Sequence, residues 1–200
     1  MNEVSVLVGA GSIGQAIIRR VSAGKHVVLA DYSVENAKRT AKTLEDAGFE
    51  CSAVRCDLGN KEDILALVEF AISKGDVKHL VNAAGVSPSQ APVREILRVD
   101  LYGTSVLLEE FGKIMADGGS GIIITPLAND ELHGPRAKGY LDMIAGMPAR
   151  RAGTPDEVGD MAEFLMSSRG RFISGADFLI DGGCTASYWY GDLQYLKATH

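Results

Sequence analysis

Residues 5–14 read SVLVGAGSIG, an apolar run that leads into three glycines in a GxGxxG pattern. The β-branched run predicts a strand, and the following QAIIRRV has helical spacing. Between a strand and a helix, the first glycine allows a tight turn, the second lets backbone approach a pyrophosphate, and the third allows close packing. The helix N-terminus adds free N–H groups and a positive dipole end. The predicted phosphate-binding residues are Gly9, Gly11, Ser12, Ile13 and Gly14.

Asp31 ends the next apolar run, 22 positions after Gly9. An acidic residue about 20 positions after the first glycine is expected to bind the ribose hydroxyls of a dinucleotide. The same carboxylate would repel the 2′-phosphate of NADP, and no Arg or Lys lies at 10–18 or 32–37 to offset that repulsion. NAD is therefore the expected cofactor. The alternative is a strand–turn–helix that binds no ligand.

Strand-like and helix-like segments alternate along most of the chain. Because parallel neighbours need a crossover connection, this alternation predicts a parallel sheet with helices on both faces. We expect one α/β domain over residues 1–200, a Rossmann-like doubly wound sheet of about six strands. The predicted strands lie near 4–9, 26–31, 51–56, 77–82, 121–125 and 176–180, and the predicted helices include 13–24, 34–47, 61–74 and 93–116. Thr154, Pro155 and Glu157 form a capping box that starts a later helix.

Charge and hydropathy limit the possible partners. The 200 residues carry a net charge of −6 without blocks of like charge, so neither nucleic acid nor an anionic membrane is expected as a partner. The apolar runs fall far short of the roughly 18 residues of a membrane span, and an immediate first strand leaves no room for a signal peptide. Three cysteines without metal-ligand spacing suit a reducing compartment. We therefore expect a cytoplasmic protein without a metal site.

Further motifs appear in a fixed order along the chain. Asp57 and Leu58 follow the third predicted strand, and NAAG at 82–85 ends the fourth. RAGTPDEV at 151–158 precedes the last long helix, and FISGADFLIDGG at 172–183 follows it. In this order the motifs resemble the short-chain dehydrogenase/reductase family over nearly the whole chain.

This resemblance implies a Rossmann sheet that binds NAD(P), and hydride transfer between the cofactor and a small alcohol or carbonyl compound. By the same resemblance Asp57 would contact the adenine, and Leu58 would pack beside it. The adenosine half of the site would be lined by Asn82, Ala83, Ala84 and Gly85. Thr125 would belong to the loop that holds the nicotinamide.

The chain departs from the family in its catalytic residues. The family uses a Tyr and a Lys four residues later on one helix face, with an upstream Ser, to exchange a proton with the substrate oxygen. No lysine here has a tyrosine four positions before it, so the catalytic residues are unknown. The glycine pattern is GxGxxG rather than the commoner TGxxxGxG. Asp100 stands where the family often has Asn.

GGSGIIITPLAND at 118–130 explains this absence. Residues 116–120 lead towards the family's fifth strand, whereas 121–130 match the segment after its sixth strand. The stretch therefore resembles a junction near 116–121. About two strand–helix units, roughly 60 residues, would be absent, with the catalytic Ser, Tyr and Lys. We expect IIIT to pair beside the fourth strand and the final strand to lie next to it.

Candidates to replace the lost groups are weak. Tyr140 and Lys138 are two positions apart and cannot share a helix face. His133 is expected on a solvated loop, and Ser174 and Ser187 have no partner suggested by spacing.

Three hypotheses follow: an NAD-binding protein with impaired or absent activity, an active oxidoreductase with non-standard or partner-supplied catalytic residues, and a non-catalytic scaffold. The first is favoured. Deletion would also uncover the apolar face of helix 93–116, including Leu101, Leu108 and Phe111, so a homo-oligomer is expected.

Overall fold

Five parallel strands form the centre of the computed structural model, which describes residues 2–124 and 137–195. They are β1 (Glu3–Val8), β2 (His26–Asp31), β3 (Glu50–Arg55), β4 (Asp76–Asn82) and β5 (Ser120–Ile123). Their order in the sheet is β3-β2-β1-β4-β5. The chain reverses direction across the sheet between β1 and β4, as in a doubly wound fold, so the predicted fold class is confirmed.

Alternation along the strands divides the core into two layers. Val6 of β1 packs in one buried cluster with residues of α3 (Lys61–Lys74) and α5 (Thr104–Gly112). Leu7, the next residue of β1, packs in a second cluster on the opposite face of the sheet. Successive side chains of a strand point to opposite faces, so each central strand contributes to both layers.

The second layer is formed by α1 (Ser12–Val21), α2 (Val34–Asp46) and α7 (Pro155–Met166). The capping box that starts α7 is present as predicted: the Thr154 hydroxyl accepts from the Glu157 N–H, and the Glu157 carboxylate accepts from the Thr154 N–H. The other helices are α4 (Val93–Ile96), α6 (Ala137–Gly146) and α8 (Cys184–Tyr190). None of the helices in the described residues has both the length and the apolarity that crossing a membrane requires.

The predicted pairing of IIIT beside the fourth strand is confirmed as far as Ile124, since Thr125 lies outside the described residues. Asn82 of β4 faces Ile123 of β5, and the Ile124 N–H donates to the Asn82 carbonyl at 2.7 Å. The connection from α5 to β5 is a tight turn in which the Gly119 N–H donates to the Ala116 carbonyl at 2.8 Å. The Ala116 N–H in turn donates to Val77 of β4 at 2.9 Å.

The predicted final strand at 176–180 is not formed. A strand needs a neighbour whose N–H and C=O groups match its own, and β5 pairs only with β4 in the described residues. Leu179 remains 71% exposed, and Phe178 and Ile180 are also exposed.

The predicted helix 93–116 is helical only to Gly112, and it contains a π-helical segment at Leu97–Gly103. Its outward face is uncovered as predicted at Leu101 and Leu108, but the expectation for Phe111 is wrong. Phe111 is fully buried against the sheet, because it lies on the inward face of α5.

Candidate functional site

The glycine turn after β1 fits between two strands at very close range. Gly9 has φ +88°, and its N–H donates to the Ala30 carbonyl of β2 at 2.8 Å. A Cβ on Gly9 would lie 2.4 Å from the Ala84 nitrogen, and one on Gly14 would lie 2.6 Å from the Gly9 carbonyl oxygen. A Cβ on Gly11 would meet no atom within 4 Å. The first and third glycines therefore serve packing, while the second borders open space.

The start of α1 is left without a capping side chain. Gly11 is its N-cap residue, and the first turn contains no acidic side chain. The first N–H that bonds back into the helix is that of Gln15, which donates to the Gly11 carbonyl at 3.0 Å. The N–H groups before it are those of Ser12, Ile13 and Gly14, which an anion can use.

Asp31 connects the glycine turn to the end of β2. Its carboxylate accepts from the Ala10 N–H, the Ser33 N–H and the Asn36 side-chain amide, each at 2.9 Å. A carboxylate has about four acceptor positions, so these three bonds fix its orientation and leave capacity for a ligand hydroxyl.

The end of β3 is held by a residue that sequence reasoning missed. The Arg98 guanidinium lies 3.3 Å from both oxygens of the Asp57 carboxylate, which also accepts from the Gly59 N–H at 2.8 Å. Arg98 is 41 positions away, so no local spacing could identify it. Leu58 is buried beneath the π-helical segment, where a Cβ on Gly103 would lie 2.2 Å from the Leu58 carbonyl oxygen.

The NAAG stretch at 82–85 lies directly beside the glycine turn. Asn82 is fully buried, donates to the Thr104 hydroxyl at 3.1 Å and accepts from the Ala84 N–H at 3.2 Å. The Ala83 N–H donates to the Val8 carbonyl at 2.7 Å, which brings the ends of β1 and β4 together. Asp100 accepts from the Val86 N–H at 3.0 Å and so positions the loop after Gly85.

The glycine turn and the loop after β4 border a cleft of about 1180 Å³. Its walls are the glycine turn, the loop after β4, the end of β5, residues 147–158 and residues 178–182. Ligand pockets usually measure about 300–1,000 Å³, so the cleft can hold a dinucleotide together with a small substrate. The cleft lies outside the carboxyl ends of parallel strands, where open α/β sheets bind ligands.

The ionisable groups that line the described part of the cleft are Arg151, Glu157 and Asp181. A hydrogen bond from Arg151 at 2.5 Å, with further hydrogen bonds from Thr154, lowers the pKa of Glu157 to about 2. Burial alone would raise the pKa of Asp181, but hydrogen bonds from Thr185 and Gly183 outweigh it and lower that pKa. Both carboxylates are therefore ionised at neutral pH. The described lining contains no Tyr, Lys or His.

The remaining candidates lie apart from this lining or outside the described residues. Thr125 and His133 belong to the latter group. Lys138 pairs with Asp142 at 2.7 Å on α6, and Tyr140 is only partly buried on the same helix. The Ser187 hydroxyl donates to the Gly146 carbonyl at 2.8 Å. The described residues contain no group of three or more side chains placed to bind a metal ion.

Comparison with known proteins assigns the fold to a family. A family model described as short chain dehydrogenase matches residues 3–129. The chain belongs to the short-chain dehydrogenase family. A second model, described as enoyl-(acyl carrier protein) reductase, matches residues 127–185.

Relatives of this chain match most of its length. A short-chain dehydrogenase/reductase of Alternaria brassicicola is 26% identical over 260 residues, covering 90% of this chain and 95% of the relative. The cis-4-hydroxycyclohexanecarboxylate dehydrogenase of Sinomonas cyclohexanicum is 28% identical, covering 92% and 96%.

Solved structures of dehydrogenases/reductases have the same fold. A dehydrogenase/reductase from Sinorhizobium meliloti has a TM-score of 0.76 at 20% identity, covering 91% of this chain and 94% of that one. A short-chain dehydrogenase/reductase from Serratia marcescens has a TM-score of 0.75 at 21% identity, covering 92% and 98%. Members of this family are oxidoreductases that use a nicotinamide dinucleotide, NAD(P)(H), and small-molecule substrates.

Proposed function

We propose that the chain binds NAD(H) in this cleft, in preference to NADP(H), and that its family reaction, hydride transfer between NAD(H) and an alcohol or carbonyl compound, is impaired or absent. The observation that carries the binding proposal is the 2.9 Å hydrogen bond from the Ala10 N–H to the Asp31 carboxylate. It places a fixed negative charge beside the glycine turn, where a ribose would follow the phosphates. A 2′-phosphate there would bring like charges together, which disfavours NADP.

The residues around the turn fit a dinucleotide. Gly11 borders open space at the bare N-terminus of α1, so a pyrophosphate can approach the backbone. We assign this contact to Gly9, Gly11, Ser12, Ile13 and Gly14. On the adenosine side we assign Asp31, Asp57, Leu58 and the NAAG stretch at 82–85, and we retain Thr125 for the nicotinamide as an expectation from the family resemblance.

When bound, the nicotinamide supplies the hydride acceptor or donor, and the chain must move the matching proton. A general acid or base works best when its pKa lies near the operating pH. Glu157 and Asp181 are ionised at neutral pH by their hydrogen bonds, and Arg151 keeps its proton. The described cleft lining therefore offers binding groups but no ionisable side chain suited to proton transfer.

The proposed cause is the loss of about two strand–helix units near residues 116–121. The alignment with the Alternaria relative runs over 260 positions, at least 60 more than the 200 residues of this chain. That excess agrees with roughly 30 residues for each βαβ unit. The two family models meet at 127–129, a few residues beyond the proposed junction, which also supports a change of segment there.

The test is calorimetric titration with NAD and with NADP, on protein whose intact mass matches the sequence. We expect NAD to bind more tightly than NADP. The Asp31→Ala substitution should lower the affinity for NAD and reduce the difference in affinity between the two cofactors. Asp46→Ala is the matched control, because Asp46 ends α2 and pairs with exposed Lys42. Equal affinities in the unmodified protein would contradict the assignment of Asp31. No binding of either would favour a non-catalytic scaffold.

The exposed stripe on the long helical run supports a homo-oligomer. Val93, Leu97, Leu101 and Leu108 are all exposed there, and soluble monomers rarely leave such a contiguous apolar patch uncovered. Sedimentation at tens of micromolar should show an assembly larger than one chain, and a monomer would contradict this part of the proposal. We also propose a cytoplasmic location, which suits the free thiols of Cys51, Cys56 and Cys184.

A further inference from the structure

Two buried serine hydroxyls have no hydrogen-bond partner among the described residues, those of Ser22 and Ser87. A buried polar group without a partner is unfavourable and uncommon. Ser22 follows α1 at the end opposite the glycine turn, whereas Ser87 lines the cleft. Only the second hydroxyl is therefore within reach of a ligand.

The backbone of Ser87 is held on both sides, so its hydroxyl is the only polar group left for another contact. The Ser87 N–H donates to the Gln90 side-chain oxygen at 2.9 Å. The Ser87 carbonyl accepts from the N–H groups of Gln90 at 2.9 Å and Ala91 at 3.0 Å. The preceding Val86 N–H is bound by Asp100. A loop fixed in this way presents the hydroxyl at one defined place.

The hydroxyl can turn towards the cleft without a change in the backbone. Ser87 is 3% exposed, and its single heavy-atom torsion moves the oxygen between staggered positions about 120° apart. Because the buried orientation provides no partner, a ligand that supplies one is favoured over the unliganded arrangement. Ser87 lies two residues after Gly85, and both line the cleft.

We propose that the Ser87 Oγ hydrogen-bonds to a hydroxyl group of the bound ligand. This inference rests on the proposed function, since the ligand is the dinucleotide or its alcohol substrate. The hydroxyl comes from the ribose next to the nicotinamide or from the alcohol itself. In either case Ser87 binds at the nicotinamide end of the dinucleotide or to the alcohol. Asp31 and Asp57 are assigned to the adenosine end.

The test compares Ser87→Ala with Ser22→Ala, which removes the other unpartnered hydroxyl away from the cleft. Calorimetry measures binding of ADP, ADP-ribose and NAD, and of cyclohexanol to the NAD-saturated protein. ADP lacks the second ribose, and ADP-ribose has it without the nicotinamide. Thermal unfolding without ligand is recorded for each variant, and Ser87→Ala should unfold at or above the temperature of the unmodified protein. Ser87→Cys, which keeps the size but weakens the donor, is the second variant.

If the ribose is the partner, both Ser87 variants bind NAD and ADP-ribose about three- to tenfold more weakly, and ADP equally well. If the alcohol is the partner, only the affinity for cyclohexanol falls by that factor. Affinities for all four probes within twofold of the unmodified protein would overturn the inference, as would an equal loss in Ser22→Ala. If the unmodified protein binds neither ADP nor NAD, the proposed function fails and Ser87 fails with it; binding without a Ser87 effect refutes Ser87 alone.

Discussion

Two stretches of this chain both predict a strand from sequence, but they have different outcomes. VSVLV in β1 is almost completely buried between two strands and two helical layers. FISGADFLI at 172–180 is equally strand-like, yet Phe172 and Leu179 remain exposed and no strand forms. The two stretches differ in their strand pairing. A strand forms only where another strand satisfies its backbone, and in the part of the chain that the structure describes the second stretch is paired with no strand.

The two halves of the chain also differ in the functional groups they contribute to the cleft. The first region, β1 to α5, holds the glycine turn, Asp31, Asp57 and the NAAG stretch at 82–85, all fixed by hydrogen bonds. The second region, β5 to α8, supplies one wall of the cleft, and its ionisable side chains there are already paired or charged. The first region therefore holds the proposed nucleotide site, and the described cleft lining of the second contains no Tyr, Lys or His.

The largest expected effect concerns turnover. The unmodified protein should oxidise NADH with a panel of ketones at least about 10⁴ times more slowly than a typical enzyme. A positioned acid or base contributes 10²–10⁴-fold, and stabilisation of the developing charge a further 10²–10³-fold. Absorbance of NADH measures the rate. A rate constant near the usual median of about 10 s⁻¹ would show that the second region, or a second chain, supplies catalytic groups after all.

Substitutions of two glycines in the turn should have different effects, one on the stability of the fold and the other on NAD binding. Gly9→Ala should lower the free energy of unfolding by about 2–4 kcal/mol, because its φ is +88° and Ala84 leaves no room for a Cβ. Gly11→Ala should change the free energy of unfolding by less than about 0.5 kcal/mol, because its surroundings are open. The same substitution should lower the affinity for NAD. Urea unfolding and calorimetry measure the two quantities. Equal destabilisation by both substitutions would contradict the close packing assigned to Gly9.

The two regions should lose stability in different pH ranges. Burial, helped by nearby Lys25, lowers the pKa of His79 in β4 to about 4 from its ordinary 6.5. The folded protein keeps this imidazole neutral, so its contribution is complete above pH 6.5 and disappears as pH falls to 4. The loss is on the order of 3 kcal/mol. His79→Gln should flatten the unfolding free energy over that range, and an unchanged slope would contradict the assignment.

In the second region, Glu157 should matter only at lower pH. Its pKa of about 2 lies below the ordinary 4.5, so its contribution is present above pH 4.5 and is lost between 4.5 and 2. The side chain is exposed, so the effect on stability is small. NMR titration of the Glu157 carboxyl in the unmodified protein and in Arg151→Ala checks the value. An ordinary pKa in the unmodified protein would contradict the pairing with Arg151.

Much of the first region could be predicted because its signals are local. The strands β1 to β4 follow from apolar runs of six or seven residues, and the turn and Asp31 follow from spacing. The Arg98–Asp57 contact could not be predicted, since it joins residues 41 positions apart. The strand at 176–180 was wrong for a related reason: its local pattern is strand-like, but a local pattern does not show whether the stretch pairs with β5, and in the described residues β5 pairs only with β4.

The smallest expected effect on stability is in the stretch 172–180. Leu179→Ser should change the free energy of unfolding by less than about 0.5 kcal/mol, because Leu179 is mostly exposed. Leu7→Ala in β1 should cost about 2–5 kcal/mol, as expected for a buried leucine. Urea unfolding of the two variants under one condition makes the comparison. A loss above about 2 kcal/mol for Leu179→Ser would mean that this stretch is packed in solution, within the chain or against a second copy.

Amide hydrogen exchange with and without NAD tests the contrast between the two regions most directly. Peptides that cover 9–14 and 82–87 should exchange more slowly when NAD is present, because these segments form the proposed nucleotide site. The peptide that covers 172–180 should exchange rapidly in the unliganded protein, since it forms no strand. Unchanged exchange at 9–14 with saturating NAD, or strong protection of 172–180 in the unliganded protein, would contradict the account.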